Sequence, residues 1–158
     1  MSWLVEGAAT QEDLLALHPG LAADHRQVVD EIWQGCVDPK ILELCRLRMA
    51  TLLGNERVWN QPRTAAAVAA SLDAALVDSL AQWPTDARFD DTTRMCLRLA
   101  EQYVIDVHGI TDELVAQLAA AIGPDGVVTL TTALATWEIT HRFDNALLDA
   151  MPTGEDPA

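Results

Sequence analysis

Apolar side chains recur at three- and four-residue intervals along most of this chain, and alternation of apolar with polar residues never persists over several positions. The first pattern lays an apolar stripe along one face of an α-helix; the second is what a half-buried strand would need. Caps separate the stripes. Thr10-Gln11-Glu12-Asp13 is a capping box that opens a short helix ending before Pro19. A longer helix runs from Leu21 to Gln34, with Val28, Val29, Ile32 and Trp33 on its apolar stripe and Gly35 placed to end it. Asp38 caps a third helix, with Pro39 in the favoured first position and Leu42, Cys45, Met49 and Leu52 on one face. Gly54 closes that helix.

A turn from Asn55 to Gln61 then leads into an alanine-rich helix from about Pro62 to Ala70, and Ser71 caps a short helix that ends before Pro84. Asp90 opens a helix from Asp91 to Val107, with Met95, Leu97, Leu99, Ala100 and Val104 inward. His108-Gly109 breaks it, and Thr111-Asp112-Glu113 starts another that runs to Ile122. Gly123-Pro124-Asp125-Gly126 reads as a turn, the last helix covers Val127 to Leu148, and the tail from Pro152 to Ala158 is expected to fray. The prediction is an all-α bundle of about seven or eight helices, in one domain over residues 1–158.

Composition narrows the partners. A formal charge of −14 argues against nucleic acid and against anionic membrane surfaces, since both are held through lysine and arginine. Nine of the ten cations are arginine, the residue suited to fixed bidentate contacts with carboxylates, so most are expected to bind internal Asp and Glu. No uninterrupted apolar run approaches the roughly 20 residues that span a bilayer, and the N-terminus lacks the order of a signal peptide. A cytoplasmic location is the expectation. Cys36, Cys45 and Cys96 stand apart, with no spacing of a disulfide framework or zinc motif. Cys45 and Cys96 fall on apolar stripes, where an inert buried thiol is usual.

Three segments carry a family resemblance. Ile41-Leu42-Glu43-Leu44-Cys45-Arg46-Leu47-Arg48-Met49-Ala50-Thr51-Leu52-Leu53-Gly54 looks like the helix leading into the catalytic turn of the carboxymuconolactone decarboxylase and alkylhydroperoxidase-D (AhpD-like) family. Phe89 to Glu101 is similar to the family's helix after a Trp-Pro turn, ending in Ala-Glu. Gly109 to Leu114 follows, and then His141-Arg142-Phe143-Asp144-Asn145-Ala146, where relatives often show Asn-Arg-Phe-Asn. The resemblance covers residues 39–148 and leaves 1–38 as an N-terminal extension. It implies an AhpD-like helical bundle and a homo-oligomer: a dimer, trimer or hexamer.

The departure from the family is as informative. After the glycine most AhpD-like members carry Cys-x-x-Cys, with a histidine four residues beyond the second cysteine. Here those positions are Asn55, Val58 and Pro62, while Glu43, twelve residues before Asn55, matches the family's proton-relay glutamate. Thiol redox catalysis needs a thiolate nucleophile and a resolving partner, and neither Asn nor Val supplies one. The expectation is a chain without Cys-x-x-Cys peroxidase chemistry. Carboxymuconolactone decarboxylases proper keep the histidine that Pro62 replaces, which counts against that activity too.

Six residues remain as candidates. Glu43 on a partly apolar face is a general acid or base, or else the partner of Arg46 three residues on. His141 follows Val127, Leu130, Leu134 and Trp137 on one stripe and is either a proton-transfer group or a hydrogen-bonded core histidine. Arg48, sharing a face with Ile41, Leu44 and Leu52, either holds an anionic substrate or makes a structural salt bridge. Arg57 is a second group for a substrate carboxylate. Trp59 either plugs the space the redox residues leave or walls a ligand pocket, with Asn55 beside it as a further substrate-binding candidate. Glu138-x-x-His141 echoes half of a di-iron motif but lacks the remaining ligands, so no metal and no cofactor are expected. Two functions follow. One is a cofactor-free enzyme on a small organic acid or lactone, of decarboxylase or lyase type. The other is a non-catalytic oligomeric ligand-binding or scaffold protein. A thiol chemistry moved to Cys45 or Cys96 is a residual third.

Overall fold

The computed structural model describes residues 10–60 and 72–148. Among these the chain forms seven α-helices: α1 (Gln11–Leu15), α2 (Pro19–Trp33), α3 (Pro39–Leu52), α4 (Glu56–Asn60), α5 (Ala74–Asp78), α6 (Asp91–Ile105) and α7 (Asp112–Leu147). Single 3-10 turns occupy Leu80–Gln82 and Val107–Gly109, and no strand occurs among the described residues. The protein is an all-α bundle. The helix expected over 62–70, the Ser71 cap and the 152–158 tail lie outside the described residues.

The caps form as the sequence dictates. Thr10 and Asp13 bond reciprocally at the start of α1, and Asp38, Asp90 and Thr111 accept from first-turn amides of α3, α6 and α7. α5 is capped by Asp73.

α3 is the centre of the bundle, packed against both α6 and α7, which also pack on each other. Leu42, Leu44, Cys45, Leu47 and Met49 are all fully buried, so α3 is covered on more than the one stripe the sequence suggested. Leu52, expected inside, is only half-buried because it sits in the last turn. α2 lies on α7, where Trp33 and Trp137 meet with ring centroids 5.9 Å apart. Val28, expected on the inner stripe of α2, faces solvent at 41% exposure, and Ile32 alone among the four predicted residues is fully inside.

The Gly123 turn is narrower than expected. One residue, Gly123, leaves helical geometry with φ 78° and ψ 159°, and the helix resumes at Pro124. The positive φ is what calls for glycine here, since the one close neighbour of an added Cβ, the exposed Asp125 carboxylate at 2.6 Å, could swing aside. By length and composition alone α7 is apolar enough to cross a membrane. Threonines and glycines punctuate this charge-poor segment, so no unbroken apolar run marks it in the sequence. Here α7 is kinked at Gly123 and buries Leu118, Leu130 and Leu134 in the core.

Candidate functional site at the turn after α3

The turn is built by local rules before any tertiary contact acts. Gly54 takes φ 66° and ends α3; the Asn55 amide donates to the Ala50 carbonyl at 2.8 Å, and the Gly54 amide to Thr51 at 3.4 Å. These two bonds are those of a Schellman ending, which needs a left-handed residue where Gly54 stands. Asn55 then starts the next helix: its Oδ1 accepts from the Val58 amide at 3.0 Å, the bond of an N-cap. This explains why α4 exists where the sequence suggested only a turn.

The other end of the same side chain reaches α7. Asn55 Nδ2 lies 3.2 Å from His141 Nδ1 and 3.2 Å from Asp144 Oδ2, and Asn55, His141 and Asp144 are all buried. Asn145 adds a bond of 2.7 Å from Nδ2 to the Leu53 carbonyl, fixing the end of α3 to α7 a second time. Since Asn55 donates, His141 Nδ1 accepts and its proton sits on Nε2. Burial, together with the nearby Arg46 charge, pulls the His141 pKa down to about 4, while the Arg46 backbone acts weakly the other way. His141 is therefore neutral at pH 7.

Glu43 joins this cluster through Arg46. Arg46 Nε and Nη2 each donate to a Glu43 carboxylate oxygen at 2.8 Å, with Glu43 fully buried. The ion-pair reading of Glu43 thus describes its contacts. At least six of the eight arginines among the described residues lie within 4 Å of a carboxylate, but only the Arg46–Glu43 and Arg48–Glu101 pairs have both side chains largely buried, fewer internal pairs than the arginine-rich composition suggested.

Arg48 and Trp59 lie elsewhere. With Gly54, Asn55, Glu56 and Asp78 they help line a cleft of about 400 Å³. Arg48 Nε donates to Glu101 Oε1 at 2.6 Å, and Trp83 Nε1 donates to the same oxygen at 2.8 Å. Arg57 is half-buried on α4 and is not among the residues lining the cleft. So the structure joins Asn55, His141 and, through Arg46, Glu43 in one buried cluster. It puts Arg48 and Trp59 on a cleft that Glu43 and His141 do not line.

Sequence reasoning missed Asp144, Asn145, Glu101 and Trp83. Asp144 could have been found as the residue three on from His141 on the same face. Glu101 could have been found as an acid among the apolar residues Leu97, Ala100 and Val104, which demands a cation. Among the described residues no three His, Cys, Asp or Glu side chains are grouped so as to hold a metal ion. Cys45 and Cys96 are buried, and burial raises the pKa of both, that of Cys96 to about 12; Cys36 is exposed. A thiol held protonated is a poor nucleophile. No family model matches this chain, and no curated protein matches it.

Proposed function

We propose that this protein is a divergent AhpD-like helical module in which the redox turn has become a structural junction, and that it binds a small organic molecule in the cleft beside that turn without thiol peroxidase chemistry. One observation carries the reading. Asn55, at the position matching the family's first cysteine, is committed on both sides of its amide: to the α4 cap, and to His141 and Asp144. A residue so engaged holds helices together rather than attacking a substrate.

The same geometry favours binding over catalysis. Glu43 is held by Arg46 and His141 is buried, and neither lines the cleft. The cofactor-free enzyme acting on an organic acid or lactone would need one of them at the substrate. The cleft's charges point the same way. Among the described residues its one lining cation, Arg48, is already matched by Glu101, whereas Glu56 and Asp78 also line it and bring two carboxylates. A neutral or cationic ligand suits that balance better than a carboxylate, with Trp59 as an aromatic wall. A cytoplasmic homo-oligomer completes the proposal, on the family resemblance and the acidic composition.

The test is a ligand screen by tryptophan fluorescence and thermal shift, with matched neutral, cationic and carboxylate panels. Saturable binding of a neutral or cationic member, weakened roughly tenfold by Trp59→Ala, is the expected result. Turnover of a lactone or organic acid that disappears in Glu43→Gln would instead establish the enzyme.

A further inference from the structure

A second depression, about 700 Å³ in volume, runs between α2 and α7 and shares no lining residue with the cleft beside Gly54. Its apolar lining is Val28 and Ile32 from α2 and Val128 from α7; its charged lining is Asp24, Glu31 and Asp125. Among the described residues no lysine or arginine lines it. Val28 is 41% exposed and Val128 67%, so two branched aliphatic side chains face water inside a ring of carboxylates.

The same side of α7 carries one further exposed aliphatic side chain beyond the groove. Along α7 the positions after Val128 at helical spacing are Thr132, Ala135 and Ile139, and Ile139 is 61% exposed. Val128 to Ile139 spans about three turns, roughly 16 Å of helix. That is the length over which a docked helix presents successive side chains to a groove.

We propose that this groove docks a basic amphipathic helix from a partner protein. Its aliphatic side chains would cover Val28 and Val128, and its lysines or arginines would meet Asp24, Glu31 and Asp125. Charge selects this occupant over the alternatives. A second copy would set these carboxylates against another chain of net charge −14. Residues 1–9 and 149–158 contain no lysine or arginine, so neither terminal segment offers the complement. Arg26, on the same helix as Asp24 and Glu31, lies 3.9 Å from Glu12 instead and does not line the groove. The proposal is independent of what fills the cleft beside Gly54.

The experiment titrates the full chain, labelled with nitrogen-15, with a leucine/lysine amphipathic peptide of about five helical turns. Two controls run beside it: a glutamate-for-lysine peptide and a scrambled one. Saturable shifts gathered at Val28, Ile32, Val128 and Thr129, slower alkylation of Cys36, and weakening by salt are expected. Glu31→Lys combined with Val128→Lys should cut affinity at least roughly tenfold with the helical circular dichroism intact; Thr132→Lys should act in the same direction. Lack of saturable binding, equal binding of the scrambled peptide, or shifts scattered outside the groove would overturn the proposal. So would a multimer in light scattering that Val128→Lys dissociates, because a second copy would then own the face.

Discussion

Arg46 and Arg48 stand two residues apart on α3, each paired with a glutamate, yet the two pairs serve different ends. The Arg46–Glu43 pair lies within one helix turn, joins two side-chain bonds of 2.8 Å, and ends in a fully buried carboxylate. The Arg48–Glu101 pair ties α3 to α6 across 53 residues of sequence, with both side chains about a fifth exposed at the edge of a cleft. The first ends in a sealed carboxylate; the second puts Arg48 on the wall of the cleft beside Gly54. Burial, not residue type, separates a structural charge from an available one.

Removing the acid from each pair should give the largest contrast. Glu43→Gln leaves Arg46 beside an uncompensated buried site and should cost about 3–5 kcal/mol in urea unfolding. Glu101→Gln should cost about 1 kcal/mol, because water can solvate Arg48. Equal losses would erase the distinction.

Asn55→Ala comes next. It removes the α4 cap, worth about 1 kcal/mol, and leaves buried polar atoms of His141 and Asp144 short of a donor, at about 1–3 kcal/mol more. Thermal unfolding should show a combined loss of about 2–4 kcal/mol; a loss under about 0.5 kcal/mol would mean the junction is ornamental.

The thiols give the smallest effect on the molecule and a sharp readout. In the folded protein Cys36 should label quickly with an alkylating agent near neutral pH, while Cys45 and Cys96 should react only after denaturation. Rapid labelling of either buried thiol would reopen redox chemistry at a new position.

What the sequence disclosed follows from the range of each interaction. The caps at Thr10, Asp38, Asp90 and Thr111, the Gly54 ending and the Glu43–Arg46 pair rest on neighbours within four residues and were readable from spacing; the equally local caps at Asn55 and Asp73 were passed over. The junction was not, because Asn55 meets His141 and Asp144 from 86 and 89 residues away, and no local pattern encodes that approach. Val28 illustrates the same limit. Its helical spacing is as good as that of Ile32, but only the placement of α7 decides which of them is covered.

The titration of His141 tests the central claim most directly. A histidine whose folded pKa lies near 4, against 6.5 in its unfolded reference, stays neutral in the native state, so the fold loses stability as pH falls from about 6.5 to 4. The span corresponds to about 3 kcal/mol, present above pH 6.5 and removed below pH 4. Nitrogen-15 NMR of the imidazole should show an Nε2–H tautomer that resists protonation to about pH 4, with Nδ1 accepting from Asn55. An imidazole that titrates between pH 6 and 7 in the folded protein would contradict the account, since it would show a solvated, proton-exchanging group where a sealed structural junction is claimed.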